Sequence, residues 1–435
     1  MTQPSTPRTD FELVRTLLPS GLPVLCAPLH NTHRAAVTLH VRSGSRFEPA
    51  ELGGVSHFLE HMLHRGTRRF PSAHELALAF EELGSELGAA TNVDHALLSA
   101  GAPPENLEAV LALLAEVAQE PVFSGIEIER GIVREEILES LNDEGEPIDA
   151  DELLISLAFP GHGLGRPITG TLETLARFDH AVLRRFHAEH YHAGAMVVSV
   201  SGPVDPERVL AAAERAFAAL PGGAKPSDVA PTLPMGPGFR YVREPASQTA
   251  LRVAFQAPSE KNELEPASEL LLRVLDDGMS TRLYHEVCDE RGLAYDVSAA
   301  YEAFEDAGLF SLSGDSAPTR SDELLGELFA VTRSLRDSGP TARELDKAKR
   351  RFAWQMQALF DDPGELAAFV GLGELTGVAR TPAERWADLE GVTHAAVQRA
   401  AQSIFVPEGL SVAAVGQLNA RQRSALESRV RAFGT

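Results

Sequence analysis

Two stretches of this chain repeat one another across its midpoint. Met196–Val204 is a short apolar strand closing on a glycine, and Leu410–Leu418 has the same shape, with Gly202 and Gly416 separated by 214 residues. Near the start of each half an apolar helix runs into a glycine, Val55 to Gly66 and Ala267 to Gly278, at a separation of 212. Between the halves lies Leu220–Gly238, whose five Pro and four Gly exclude regular structure. A near-constant separation around a central linker is what a duplicated domain produces. The chain therefore reads as residues 1–220 and 239–435, homologous to one another, joined by a Pro/Gly-rich linker at 221–238.

Within the first half, Leu22–Pro28 and Ala35–Arg42 read as strands, and helices begin at about Leu52 and Ala73. Ser85–Thr91 and His95–Gly101 alternate and carry β-branched or small residues, as a hairpin does. Helices follow over Pro104–Gln119, Gly125–Asn142 and Asp179–His190, before the closing strand. Strands and helices segregated in this way imply an α+β fold: two duplicated α/β-layered domains, each an antiparallel-rich sheet covered by helices.

The chain carries 39 Lys+Arg against 62 Asp+Glu, and 39 − 62 gives −23. That balance opposes nucleic acid, whose binding depends on neutralising phosphates, and opposes anionic membrane surfaces. It attracts basic peptides, although an acidic surface most often serves solubility. Two cysteines, Cys26 and Cys288, cannot make a disulfide framework and read as reduced. Met1–Asp10 has no apolar signal-peptide core, and no uncharged apolar run approaches the roughly 20 residues of a membrane helix. A cytoplasmic location is expected.

The chemistry concentrates in Ser56-His57-Phe58-Leu59-Glu60-His61-Met62-Leu63. On a helix, His57 and His61 are four apart and share a face, close enough to grip one ion. Imidazole suits zinc, and a catalytic zinc keeps three protein ligands and one open position. Glu60 shares the side of the two histidines but is displaced from them, which suits a general base acting on metal-bound water. The order His-x-x-Glu-His inverts the common zincin motif. A third ligand is available in Glu136, which follows His61 with 74 residues between, in the acidic helical segment Glu127–Glu139. Glu135 is its neighbour and rival, and points about 100° away on a regular helix. His64 offers a three-histidine alternative, and His187, His190 and His192 form a second cluster. The bland reading of the first segment is the polar face of an amphipathic helix over a core of Phe58, Leu59, Met62 and Leu63.

On these residues the chain resembles the pitrilysin family of inverzincin zinc metallopeptidases, particularly the mitochondrial processing peptidase branch and its bacterial relatives. The resemblance rests on His57–Thr67, on Glu129-Arg-Gly-Ile-Val-Arg-Glu-Glu136, on Phe186–Tyr191 with Met196 onward, and on Ser280–Val287 with Arg291–Tyr295. It implies that His57, His61 and Glu136 hold one zinc per chain. It further implies that Glu60 is the base and that Glu129 is an acid supporting the ligands. It implies a zinc endopeptidase that hydrolyses unfolded peptides inside a closed clam-shell chamber, of which this chain forms half. The rival function is a non-catalytic core or assembly subunit of a larger complex.

Three departures from the family pattern bear on partners. The second half has Glu269-Leu-Leu-Leu-Arg273 where the first has the metal motif, so ligands and base are absent there. The strand expected to pair with substrate reads Gly88-Ala89-Ala90-Thr91 and lacks the asparagine common in the family, although its backbone can still add an extended peptide. An Arg/Tyr pair that would face the substrate carbonyl is expected around Gly308–Ala317, where Phe310 and Ala317 stand instead. Arg282/Tyr284 and Arg291/Tyr295 are tempting substitutes for that pair, yet they fall in the preceding helix and strand motif and read as structural. The expectation is a dimer, with a homologous subunit lacking zinc ligands supplying the pair.

Overall fold

A computed structural model describes residues 12–234 and 236–434, so the segment Met1–Asp10 lies outside the described residues. The strands form two sheets. The first holds β1 (Val14–Leu17), β2 (Pro23–Pro28), β3 (Ala35–Val41), β4 (Gly88–Thr91), β5 (Ala96–Ala102) and β6 (Met196–Gly202), in the order β1-β2-β6-β3-β5-β4. The second holds β7 (Gly238–Arg243), β8 (Thr249–Gln256), β9 (Val297–Ala303), β10 (Gly308–Ser316) and β11 (Ser411–Gly416), in the order β7-β11-β8-β10-β9. Each sheet is antiparallel except for one parallel pair, β2 with β6 and β7 with β11. The two α/β-layered units are homologous in their wiring.

The repeat is visible residue by residue in the registers. Ala35 pairs with Ala102, and Thr249 with Ser316, each 214 positions on. Ala36 pairs with Ser201, and Ala250 with Val415, again 214 on. Gly202 and Gly416 both take positive φ, at 130° and 153°, where the strand end presses on the neighbouring backbone. A Cβ would sit 2.6 Å from Ala35 Cα in one case and 2.8 Å from Thr249 Cα in the other. Only glycine suits a contact that close in that conformation.

The first half also holds the helices α1 (Val55–Leu63), α2 (Ala73–Glu81), α3 (Leu107–Gln119) and α4 (Ile126–Glu139), which contribute to its apolar core, and α5 (Ala150–Ala158). The hairpin strand expected from Ser85 starts only at Gly88. Ser85 N–H still donates to Phe80 O, so the chain is finishing the turn that ends α2.

Helices cross between the halves. The outer face of the first sheet, with Leu25, Ala27, Leu29 and Val197, packs against Leu366, Val370 and Leu375 of the Pro363–Thr376 helix, which belongs to the second half. In return α5 of the first half lays Leu153, Leu154 and Ala158 on Val242, Ala254, Ala413 and Val415 of the second sheet. The Pro/Gly segment expected at 221–238 has no regular structure among its described residues until Gly238, which opens β7. It is nevertheless pinned down. Arg42 Nε donates to Pro226 O at 2.7 Å, and Arg46 pairs with Asp228 at 3.4 Å. Among the described residues no helix is long and apolar enough to cross a membrane.

Candidate metal centre

The helix α1 is built to hold its polar face still. Val55, Phe58, Leu59, Met62 and Leu63 are buried in the core of the first half. Its N-terminus follows Gly54, at φ 91°, where a Cβ would lie 2.5 Å from Thr169 O. The buried Glu48 carboxylate accepts from the backbone N–H groups of Gly54 at 2.7 Å and Ser56 at 2.8 Å. That satisfies donors which a helix start leaves open, and sets a negative charge at the positive end of the dipole. Burial is the main influence on Glu48 and raises its pKa, while the two backbone N–H groups oppose it.

Across from α1, the helix α4 runs in the opposite direction, because His57 meets Glu136 while Arg65 meets Glu129. His57 Nε2 lies 3.0 Å from Glu136 Oε2, and His61 Nε2 lies 3.9 Å from the same oxygen. Ligand atoms of the three residues all fall within 4.8 Å of one another. Two ligands at about 2.05 Å from one ion, at a tetrahedral angle, stand about 3.3 Å apart. The observed separations bracket that value, so the donor set and its spacing fit a zinc-type site. Among the described residues this is the one such grouping of His, Cys, Asp and Glu.

The surrounding groups orient the donors. His61 Nδ1 is 3.0 Å from Glu129 Oε2. A carboxylate only accepts, so Nδ1 carries the hydrogen and Nε2 is left free to face an ion. Glu129 is itself buried, with Arg65 Nη1 3.2 Å from its other oxygen. Arg65 escaped the sequence reading. Its signal was position, one turn beyond His61, together with Gly125, where a Cβ would come 2.6 Å from Arg65 Nη2.

Glu60 points to the other side, toward β4. Thr91 Oγ1 donates to Glu60 Oε2 at 2.5 Å, and His57 Nδ1 stands 3.9 Å from that oxygen. The Tyr191 phenol is wholly buried, and burial first, then the charge of Glu60, pushes its pKa up. The contact between Thr91 and Glu60 was not legible in sequence, since the two lie 31 positions apart on different elements.

The strand β4 is the free edge of its sheet. Gly88, Ala89, Ala90 and Thr91 pair with Ser99, Leu98, Leu97 and Ala96. Asn92 N–H donates inward to His95 O, and antiparallel pairing alternates. Ala90 and Gly88 therefore also bond inward, while Ala89 and Thr91 turn their backbone groups to the open edge.

The competing ligands are accounted for. Glu135 is exposed and pairs with Arg134 at 2.7 Å. His64 falls outside the ligand grouping. His187 Nε2 donates to Ala118 O at 2.8 Å, and burial lowers its pKa to about 4. His190 Nδ1 donates to Arg42 O at 2.7 Å, and His192 Nδ1 accepts from Gly194 N–H at 3.1 Å. Those three histidines serve packing and caps.

In the second half the equivalent helix face carries ion pairs. Arg273 Nε lies 2.9 Å from Glu269, its Nη1 3.3 Å from Asp277, and its guanidinium 4.8 Å over the Phe352 ring. Arg351 completes the group on Asp277 at 2.6 Å. An arginine side chain thus supplies a cation of its own there. Phe310 is 0% exposed in β10, whereas Ser311, Ser313 and Asp315 on the other face of the strand are half-buried and Ala317 beyond it is exposed, so the expected Arg/Tyr positions hold one buried aromatic and one exposed small residue. Arg282 is structural as read, doubly bonded to Glu344, and Arg291 pairs with Glu327 at 2.9 Å. Tyr295 departs from the structural reading, being 92% exposed.

Comparison with known proteins agrees with this architecture. A family model described as "Insulinase (Peptidase family M16)" matches residues 24–172, and one described as "Peptidase M16 inactive domain" matches residues 177–352. An "uncharacterized zinc protease" of Mycobacterium leprae is 31% identical over 83% of this chain and 82% of its own. One of Mycobacterium tuberculosis is 31% identical over 92% and 93%. Among solved structures, a protease from Helicobacter pylori aligns with a TM-score of 0.87 at 20% identity, covering 93% of this chain and 99% of that one. A peptidase M16 inactive domain from Pseudomonas fluorescens aligns at 0.86 and 23%, covering 93% and 98%.

Proposed function

The chain belongs to the M16 (pitrilysin, or insulinase) peptidase family, and from that premise we propose that it is a zinc-dependent endopeptidase acting on extended, unfolded peptides. The observation that carries the reading is the convergence of His57, His61 and Glu136 beside Glu60, which is tied to the end of an open edge strand.

His57 Nε2, His61 Nε2 and a Glu136 oxygen would hold one zinc per chain. When bound, zinc supplies Lewis acidity that polarises a scissile carbonyl and a water. The rest falls to the protein. A peptide strand adds to β4, taking hydrogen bonds from the backbone of Ala89 and Thr91. Glu60 accepts the proton of the attacking water on a carboxylate oxygen and returns it to the leaving amine. The Thr91 hydroxyl holds that carboxylate between the helix and the edge strand, and Glu129 fixes the tautomer of His61.

One metal face per chain, with Arg273 in the equivalent place of the second half, leaves a closed chamber to be completed by a second chain. We place the protein in a dimer, with the partner contributing the residues that face the carbonyl. A partner lacking zinc ligands would fit that part.

The test is hydrolysis of a quenched mixed-peptide library by the purified chain, with zinc measured on the same sample. About one zinc per chain with chelator-sensitive cleavage supports a self-sufficient enzyme and removes the need for a different partner. Zinc without cleavage directs the search to a co-purifying subunit. Absence of zinc would sink the reading.

A further inference from the structure

We propose that Glu305 and Asp306, in the half without metal ligands, position the metal centre of the other half by clamping the segment Arg42–Glu48 that leads into α1. This rests on the metal reading of His57, His61 and Glu136.

The segment has three neighbours. One is the start of α1, where Glu48 accepts from the N–H groups of Gly54 and Ser56, and Ser43 Oγ donates to Ser56 Oγ at 3.2 Å, one residue before His57. A second is the turn joining β4 to β5. Arg46 N–H donates to Val93 O at 2.7 Å, and at Gly44, with φ 144°, a Cβ would come 2.4 Å from Asn92 O. That turn carries the β4 edge, and with it Thr91 and its bond to Glu60. The third neighbour is the turn joining β9 to β10 of the second half. There Arg42 Nη2 donates to Glu305 Oε2 at 2.6 Å, and Arg46 Nη2 lies 2.7 Å from both carboxylate oxygens of Asp306.

The two turns are counterparts in the duplication. Thr91 pairs with Ala96 and Ala303 with Gly308, so residues 92–95 and 304–307 are matching four-residue turns, 212 positions apart. They meet in one apolar cluster, in which Val93 packs with Phe304 and Ala307. Phe304 seats its turn on Phe159, with ring centroids 6.0 Å apart.

Arg42 and Arg46 are 8% and 5% exposed, and charges so buried require partners. Pro226 O takes Arg42 Nε, and Asp228 stands 3.4 Å from Arg46 Nε, so the two acids of the turn are the nearer anions. Glu305 also receives Lys261 at 2.8 Å and Lys225 at 3.7 Å. Burial pushes the Glu305 carboxyl up, but hydrogen bonds from Lys261 and Arg42 outweigh it and hold its pKa at about 2, so it is an anion throughout the neutral range. A buried ion pair adds little net stability, and its best use is to select one arrangement. Here the arrangement is the start of α1. His57 lies in the first turn of that helix while Glu136 stands on α4, so a shift of the segment changes their separation.

The experiment compares Asp306→Asn and Glu305→Gln with Arg15→Gln, each in the full chain. Arg15 pairs with Glu374 at 2.6 Å, a contact that also joins the halves but lies on β1, at the opposite edge of the first sheet from β4. The amides keep the shape and one acceptor, so circular dichroism should match the parent. Zinc affinity, by chelator competition, should fall about 3–30-fold in the two clamp variants and less than about twofold in Arg15→Gln. With Co²⁺ in place of zinc, the visible bands report the geometry at the ion. They should change in the clamp variants and stay parental in Arg15→Gln. Coupling is reciprocal, so zinc should slow amide exchange of the wild type at residues 304–307 as well as along α1, a measurement that stands if a clamp variant does not fold. Parental zinc affinity and cobalt bands in both clamp variants, or exchange at 304–307 that ignores zinc, overturns the clamp and leaves the metal reading intact. Equal losses in all three variants would mean a general loosening between the halves, and the clamp would be wrong. A wild type that binds neither zinc nor cobalt removes the metal reading and the clamp with it.

Discussion

Glu60 and Glu129 are both carboxylates beside the same metal ligands, yet their surroundings set them different tasks. Glu129 is buried and divided between His61 and Arg65, a positioning role. Glu60 has the Thr91 hydroxyl and the rim of the cleft about it. Replacing Glu60 with Gln should keep zinc and lower kcat by at least about a hundredfold, the lower range for a general base. Zinc by atomic absorption together with single-turnover cleavage checks it, and full turnover by the variant would remove Glu60 from the chemistry. Glu129→Gln should behave in the opposite way. Zinc affinity should fall about 10–100-fold, measured by chelator competition, because a neutral amide is a weaker acceptor for the His61 Nδ1–H than the carboxylate and leaves the ring less basic. An unchanged affinity would leave Glu129 a mere packing residue.

The strand β4 is the element whose role can be separated from its stability. Its inward bonds belong to Gly88 and Ala90, and its outward ones to Ala89 and Thr91. Ala89→Pro removes one edge N–H without unpairing the hairpin, since proline is tolerated on an edge. KM for peptides should rise several-fold with little change in melting temperature. Ala90→Pro should do the reverse and destabilise the hairpin first, by breaking a ladder bond. Equal effects from the two variants would show that substrate does not add to this edge. Much of this element was legible in the sequence, because alternation and small residues mark a hairpin. Its direction of bonding was not, because the parity of the ladder depends on the turn at Asn92–His95.

At the scale of the whole molecule, each sheet depends on a helix from the other half. A chain cut at residue 220 would expose Leu25, Ala27, Leu29 and Val197, which Leu366 and Val370 now cover. Fully burying a Leu or Val side chain is worth about 1.5–3 kcal/mol, and Leu25, Leu29 and Val197 would each lose part of that. The isolated first half should fail to give a cooperative melt or stoichiometric zinc. A well-folded, zinc-loaded fragment would show the exchange to be dispensable. In the second half, Glu260 lines a cavity of about 180 Å³, with Thr376 Oγ1 donating to it at 3.3 Å. Burial first, and the charges of Asp94 and Glu265, raise its pKa to about 7 against the opposing Thr376 hydroxyl and Arg380. Its folded value lies above the ordinary 4.5, so the stability it contributes is complete below that pH and is lost as pH rises through about 7. Glu260→Gln should therefore raise the melting temperature at pH 8 by roughly 2 °C and leave pH 4 little changed. A variant that melts lower at pH 8 would mean that the charged form is stabilised after all.

The duplication, the α+β class and the metal motif were all readable before any coordinates, because each is a pattern in local spacing. A four-residue interval puts two histidines on one helix face, and a constant separation of about 214 residues marks two copies of one wiring. What joins distant positions could only come from tertiary structure. Glu136 comes to His57 because two antiparallel helices pack side by side. Thr91 reaches Glu60 because an edge strand lies along one of those helices. The Pro363–Thr376 helix covers the other half's sheet because an apolar face must be buried, wherever in the chain its cover is encoded. Spacing determines which residues share a face, and packing determines what that face meets.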